Sequence, residues 1–94
     1  MSERDISDES RPRLAPHRRL KFDAVRRGWT IQAPERVFVL DEIAHAIVSR
    51  CDGEKTIGQI VDELCTAFDA PREVVAGDVR KLLQDFVGKG VIAP

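Results

Sequence analysis

The residue types that most often carry chemistry occur in this sequence without the neighbours that chemistry needs. His17 and His45 stand alone, and His45 has no second ligand four positions on that would suggest a metal site. The adjacent pair Asp62 and Glu63 is typical of a solvated helix face rather than of an acid–base dyad. We therefore expect no catalytic residues, no metal and no cofactor in this chain.

The two cysteines and the glycines near the C-terminus also lack a catalytic or binding motif. Cys51 and Cys65 fall outside any Cys-x-x-Cys pattern, and each lies on the apolar stripe of a predicted helix. Buried reduced thiols are one interpretation, and a disulfide between the two helices is the other. The run Gly88-Lys89-Gly90 lacks the upstream strand and glycine of a phosphate-binding loop.

Length and charge predict one small domain behind a charged tail. A chain of 94 residues is too short for two hydrophobic cores. The first 17 residues carry seven charges and few apolar side chains, too few to offset a backbone-ordering cost of about 1–2 kcal/mol per residue. We expect residues 1–17 to be a disordered tail and residues 18–94 to form the domain, with roughly 3–5 kcal/mol of net stability.

The charges are unevenly distributed along a chain of formal net charge −1. Residues 11–36 carry eight basic and two acidic side chains, whereas residues 37–94 carry six basic and ten acidic ones. Such a polar molecule can steer a charged partner onto one face. No apolar run approaches the roughly 20 residues that span a bilayer, so we expect no membrane association and a cytoplasmic location.

Alternating apolar and polar residues predict two half-buried strands, over 20–24 and 29–33. A turn is expected between them at Arg26-Arg27-Gly28, where Gly28 can take a positive φ at little cost. A third strand, Arg36–Leu40, follows the break at Pro34. Because the connections are short, the three strands should form an antiparallel meander.

The third strand differs from the others because Val37, Phe38, Val39 and Leu40 are all apolar. Both of its faces should therefore be covered. In a meander this strand also lies at the sheet edge, with unpaired backbone N–H and C=O groups on its outer side. An apolar open edge is either an aggregation hazard or a docking site.

The rest of the chain has the 3.6-residue period of three amphipathic helices, with apolar stripes over 43–51, 57–68 and 75–87. Asp52-Gly53 should end the first helix, and Thr56 with Gln59 forms a capping box for the second. Pro71 begins the third. The fold class expected is α+β, a three-stranded antiparallel meander followed by a three-helix bundle.

An arrangement of strands with three helices is also found in winged-helix DNA-binding regulators, and this is the alternative function. In that alternative the third helix enters the major groove and should be rich in exposed basic residues. The four basic residues over 71–90 are nearly balanced by three acidic ones, and the chain is slightly acidic overall. Binding to phosphates requires more positive charge, so we expect no nucleic-acid partner.

Several runs resemble the PqqD family of pyrroloquinoline quinone (PQQ) biosynthesis. They are Leu40-Asp41-Glu42-Ile43-Ala44 with Ile47, then Cys51-Asp52-Gly53, Thr56 and Ile60, together with Pro16 and Trp29 through Pro34-Glu35. The resemblance covers roughly residues 14–94. It implies a RiPP recognition element with a winged-helix-like fold. Such a protein binds the precursor peptide PqqA and presents it to the radical S-adenosylmethionine enzyme PqqE, which performs the chemistry.

The resemblance also implies that the peptide adds as a strand beside the third strand and rests against the third helix. That placement agrees with the open edge deduced from the residues. We expect the backbone of Val37 and Val39 to pair with the peptide, and Arg36 to attract its acidic residues. The groove should lie between Phe38 or Leu40 and the third helix, with walls formed by Val75, Asp78, Val79, Leu82 and Phe86, several of which could equally fill the core.

Overall fold

The fold is an antiparallel sheet followed by three helices. In the computed structural model, which describes residues 6–94, the elements follow in chain order: β1 (Arg13–Leu14), β2 (Arg19–Asp23), β3 (Gly28–Ala33), β4 (Arg36–Leu40), α1 (Glu42–Val48), α2 (Ile57–Phe68), α3 (Arg72–Gly88) and β5 (Ile92–Ala93). Strands β2, β3 and β4 form one sheet in that order, and β1 pairs with β5 in a second. The predicted α+β fold with a three-stranded meander and three helices is confirmed.

The register of the three-stranded sheet sets which side chains meet the helices. Leu20, Ile31 and Phe38 lie opposite one another across the sheet, as do Phe22, Trp29 and Leu40. Because successive strand side chains point to opposite faces, these two rows share the inner face. Ile31 on the central strand is fully buried.

The turn between β2 and β3 differs from the expectation for Gly28. Arg27 takes the positive φ, +54°, and Gly28 does not. Gly28 pairs with Asp23 as the first residue of β3, so its backbone is extended. The Asp23 carboxylate accepts hydrogen bonds from the N–H groups of Val25 and Arg26, which holds the turn one residue earlier than predicted.

Helix α2 begins at its predicted capping box, and Asp41 caps α1. Helix α3 begins at Arg72, one residue after the predicted Pro71, which has the N-cap position and makes no side-chain cap. The Asp41 carboxylate accepts the Ala44 N–H at 2.7 Å at the start of α1, and Thr56 and Gln59 form the reciprocal capping box of α2. Helix α1 ends at Val48, before Cys51, because the N–H groups of Arg50 and Cys51 donate to the carbonyl oxygens three residues back, those of Ile47 and Val48. The chain then turns through Asp52 and through Gly53 at φ +80°. The inner sheet face and the three helices enclose one core, whose most deeply buried side chains include Ile31, Ile47, Ile57, Ile60, Val79 and Leu83.

The segment before β2 has contacts that the sequence did not indicate. Leu14 pairs with Ile92, and Pro12 is buried, with its carbonyl oxygen accepting the Gly53 N–H at 2.9 Å. These contacts join residues far apart in sequence, so local composition gave no sign of them. The division into a tail and a domain at residue 17 stays a prediction, and its residues 1–5 lie outside the described residues.

Across residues 6–94, no helix is both long enough and apolar enough to cross a bilayer.

Candidate functional site

Strand β4 is an edge strand: within the described part of the chain, β3 is its only neighbour. The two-residue turn at 34–35 joins Ala33 to Arg36, which lie opposite each other. Such a turn closes on a hydrogen-bonded pair, and hydrogen-bonded pairs alternate along an antiparallel ladder. The backbone N–H and C=O groups of Val37 and Val39 therefore point to the open side of β4.

The side chains of β4 divide between the two faces of the sheet. Leu40 is buried and Phe38 half-buried on the inner face. Val37 and Val39 lie on the outer face with 51% and 62% of their surface exposed. Both faces of the strand are apolar, as the sequence indicated, but the helices cover only the inner one.

Phe38 connects the edge strand to α3. Its ring centroid lies 6.0 Å from that of Phe86, with the planes tilted by 57°. The Arg36 guanidinium lies 4.8 Å from the Phe38 ring centroid, in cation–π contact. The strand edge thus begins at a basic residue held against an aromatic ring.

A groove opens past the other end of β4, between α1 and α3. It has a volume of about 670 Å³ and begins at Asp41, the residue after the strand. Its walls combine aliphatic and charged side chains: Asp41, Ile43, Ala44, Ile47, Asp78, Lys81, Leu82 and Asp85. The groove therefore lies next to the Leu40 end of β4.

A second, smaller pocket continues the groove toward the start of α3. It measures about 80 Å³ and is almost entirely apolar. Its lining comes from all three helices and the turn before α3: Ile43, Ile47, Leu64, Phe68, Ala70, Val74, Val75, Asp78 and Val79. Ile43, Ile47 and Asp78 line both cavities, which makes them one continuous surface.

The α3 residues predicted for the site have two kinds of environment. Asp78 is exposed and Leu82 half-buried, and both line the groove. Val75 and Val79 are buried core residues that also line the second pocket. Phe86 is buried against Phe38 and lines neither cavity. Their part in peptide binding stays a prediction.

Several lining residues were not predicted from the sequence: Asp41, Ile43, Phe68, Val74, Lys81 and Asp85. The apolar stripes over 43–51 and 57–68 predict core positions for Ile43 and Phe68. The sequence of α3 contains a pattern that could have predicted part of the groove lining. It is the spacing of three and four residues that puts on one helix face Asp78, Lys81, Leu82 and Asp85. Val74 is apolar but lies off the apolar stripe of α3, and such a position also indicates an exposed apolar surface.

The charges around the groove are predominantly negative. Asp41 uses one carboxylate oxygen to cap α1, and Asp85 lies 3.0 Å from the Lys89 ammonium group. The side chains of Asp78 and Lys81 have no hydrogen-bond or ion-pair partner within residues 6–94. Three carboxylates and one ammonium group on the walls give the groove a net negative charge.

The buried thiol of Cys51 is poorly suited to nucleophilic chemistry. Burial, with a smaller contribution from the Asp52 carboxylate, raises the pKa of Cys51 to about 12. Its Sγ donates to the Ile47 carbonyl oxygen at 3.3 Å. At neutral pH the thiol stays protonated, and the thiolate is the reactive form. Both cysteines are free, and Cys65 is half-buried.

Over residues 6–94, no three His, Cys, Asp or Glu side chains are arranged to hold an ion. The candidate site consists of the open edge of β4, the contact between Phe38 and Phe86, and a groove between α1 and α3 with aliphatic and acidic walls.

A known protein family matches most of this chain. The family model of Coenzyme PQQ synthesis protein D (PqqD) matches residues 28–92, which include β3, β4 and all three helices. The chain belongs to the PqqD family. The resemblance noted in the sequence is thereby confirmed.

Curated PqqD relatives match over most of their own length. A protein of Bradyrhizobium diazoefficiens named PqqA binding protein is 44% identical over 87 residues, covering 93% of this chain and 84% of the relative. A protein of the same name from Gluconobacter oxydans is 43% identical over 74 residues, covering 79% of this chain and 77% of the relative.

Two solved PqqD structures share the fold. The solution NMR structure of the PqqD truncation of Methylobacterium extorquens PqqCD, described as a functional and stand-alone RiPP recognition element, has a TM-score of 0.83 and 34% identity, covering 99% of this chain and 100% of that one. The crystal structure of PqqD from Xanthomonas campestris has a TM-score of 0.56 and 38% identity, covering 89% and 93%.

Proposed function

We propose that this PqqD-family chain binds the PqqA precursor peptide by strand addition and presents it to the radical S-adenosylmethionine enzyme PqqE, with no catalytic step of its own. The relatives named PqqA binding protein and the neighbour described as a RiPP recognition element support peptide binding.

The observation that carries the proposal is the open edge of β4 next to the groove between α1 and α3. The outward backbone groups of Val37 and Val39 offer two donors and two acceptors to a peptide strand. Backbone pairing supplies affinity regardless of the peptide's sequence, and the groove supplies side-chain selection. Leu82 and Phe38 offer apolar contact, and Arg36 offers a positive charge to acidic peptide residues.

The winged-helix alternative has little support in the charges of α3 and its end. Arg72 is paired with Asp62, Arg80 with Asp8 and Lys89 with Asp85. Lys81 alone among the four basic residues there has no anionic partner within the described residues, and it lies between Asp78 and Asp85. A DNA phosphate approaching this helix would meet more carboxylates than free cations, which opposes binding.

The peptide-binding proposal is tested by titrating isotope-labelled protein with synthetic PqqA. The amide resonances of 36–40 and of the groove-facing residues of α3 should shift and saturate together. The amides around Val25, at the far tip of the β2–β3 turn, serve as an internal control and should not move. Saturating shifts confined to other surfaces would contradict strand addition.

Presentation to the enzyme is tested separately, with PqqE and PqqA in a crosslinking assay. We expect this chain alone to leave PqqA unmodified, and the combination with PqqE to crosslink PqqA faster than PqqE does alone. A rate that is independent of this chain would contradict the presenting role while leaving peptide binding intact.

A further inference from the structure

Exposed apolar side chains are concentrated at the second pocket. Ile43, Phe68 and Val74 come from three different helices, and their exposed fractions are 44%, 38% and 55%. Single exposed apolar residues are ordinary, but a contiguous group around a pocket is typical of a binding surface. The buried Val75 and Val79 form an apolar floor below them.

The size of the pocket limits what can occupy it. Its volume is about 80 Å³. An enclosed apolar cavity of roughly 150 Å³ holds a benzene molecule, so a pocket of about half that volume favours one aliphatic side chain over an aromatic ring.

The carboxylates beside the pocket favour a cationic residue in the ligand next to that aliphatic side chain. The Asp78 carboxylate lies on the rim shared by the groove and the pocket, and it has no cationic partner within residues 6–94. Asp41 and Asp85 add two more carboxylates to the wall of the groove. A cationic side chain of a ligand would be attracted to Asp78, whereas an acidic one would be repelled.

The two ends of the site therefore differ in charge. Arg36 lies at the start of β4, and the acidic groove begins after its end at Asp41. We propose that the bound peptide continues past the Leu40 end of β4, places an aliphatic side chain in the second pocket and sets a lysine or arginine beside Asp78. This inference rests on the proposed strand addition, and it deepens it by naming what the peptide must carry and at which end.

The test is a charge exchange between the protein and synthetic PqqA. Asp78→Lys should weaken PqqA binding about tenfold, because an attraction becomes a repulsion at a partly exposed pair. Each lysine and arginine of PqqA is then replaced in turn by glutamate. One of these peptides should bind the wild-type protein weakly. Its affinity for the Asp78→Lys variant should lie within about twofold of the affinity of the wild-type protein for unmodified PqqA. No rescue by any of the peptides would overturn the proposed contact.

A matched control comes from the same helix. Glu73 is exposed on α3 and lines neither cavity, so Glu73→Lys makes the same charge change outside the groove. It should leave PqqA binding within about twofold of wild type. Equal weakening by both variants would show an effect of net charge alone and would overturn the assignment to Asp78.

The apolar part of the inference has its own variant. Val74→Asn changes a side chain that is more than half exposed, so the fold should be retained, and PqqA binding should fall about threefold to tenfold. If 36–40 still shift on titration but Val74→Asn and Asp78→Lys both bind as wild type, the groove contact is wrong and strand addition stands. If 36–40 do not shift, the proposed function itself fails.

Discussion

The ring of Phe38 on the edge strand lies 6.0 Å from that of Phe86 on α3, and this contact ties the open edge to the helix beside the groove. Phe86 is buried in the core, whereas Phe38 is only half-buried. The two rings therefore have unequal parts in folding and in binding. Phe86 belongs mainly to the core, and Phe38 presents part of its surface to a chain that pairs with β4.

Alanine substitution of the two rings should separate these parts. Phe86→Ala should cost about 3–4 kcal/mol in free energy of unfolding, close to the whole net stability of a domain this small. Phe38→Ala should cost about 1–2 kcal/mol and leave a folded protein with weaker PqqA binding. Urea titration followed by the fluorescence of Trp29, the single tryptophan, measures both costs. Equal costs would contradict the division of roles.

Backbone pairing at the open edge is tested with Val39→Pro. Proline removes the N–H that points away from β3, so the ladder with β3 keeps its bonds and the fold should survive. PqqA binding should fall at least tenfold, because a backbone donor is lost and the ring obstructs the approaching strand.

Val39→Ala is the matched control, since it removes the side chain and retains the N–H. It should bind PqqA within about threefold of wild type. If the proline and alanine variants bind equally well by calorimetry while both give the circular dichroism of the wild type, the peptide does not pair at Val39.

The main elements were predictable because their side-chain periods are strong. The alternation over 20–24 and 29–33, the capping box at Thr56 and the stripe of α3 each correspond to an observed element. Strands β1 and β5 were not predictable, since each has two residues and its partner lies at the other end of the chain. The positive φ at Arg27 was missed because pairing of Gly28 in β3 outweighed the preference of glycine for turns.

The candidate site was predictable in its strand and less so in its helices. The last strand of a meander lies at a sheet edge, and its apolar run predicts two apolar faces. Strand β4 has that edge position, and its outer face is left exposed. A helical stripe indicates only which side faces inward. It does not show which residues of the stripe stay exposed beside a pocket, as Ile43 and Phe68 do. That depends on how all three helices pack together.

The Cys51 thiol should make stability fall at alkaline pH. Its ordinary pKa is 9.0, and burial raises the pKa in the folded protein to about 12. Between these values the unfolded chain loses the thiol proton and the folded chain keeps it, so the unfolded state is favoured as pH rises. From pH 8 to about 10.5 the loss should be about 2 kcal/mol.

Lysines and other groups also titrate in this range, so the comparison is with Cys51→Ala. The variant lacks the thiol and should lose about 2 kcal/mol less than the wild type over the same interval, measured by urea unfolding at each pH. Parallel pH profiles for the two proteins would mean that the buried thiol does not contribute the expected change.

The start of the folded domain can be located by truncation, because residues 8–14 contact elements far along the chain. The Ile57 N–H donates to the Ser10 carbonyl oxygen at 2.9 Å, and the Gly58 N–H donates to that of Asp8 at 3.0 Å. Both donors are at the start of α2, where the helix itself offers no acceptor. Pro12 is buried, and Leu14 pairs with Ile92 of β5.

We predict that a chain starting at residue 18 is about 3 kcal/mol less stable than the full chain, since it loses these two hydrogen bonds, the burial of Pro12 and the β1–β5 pairing. A chain starting at residue 6 keeps every described contact, so it is the matched control for the chain starting at residue 18. If the chain from residue 18 is as stable as the full chain, the tail predicted from composition does extend through residue 17. If the chain from residue 6 is also destabilised, residues 1–5 contribute contacts of their own.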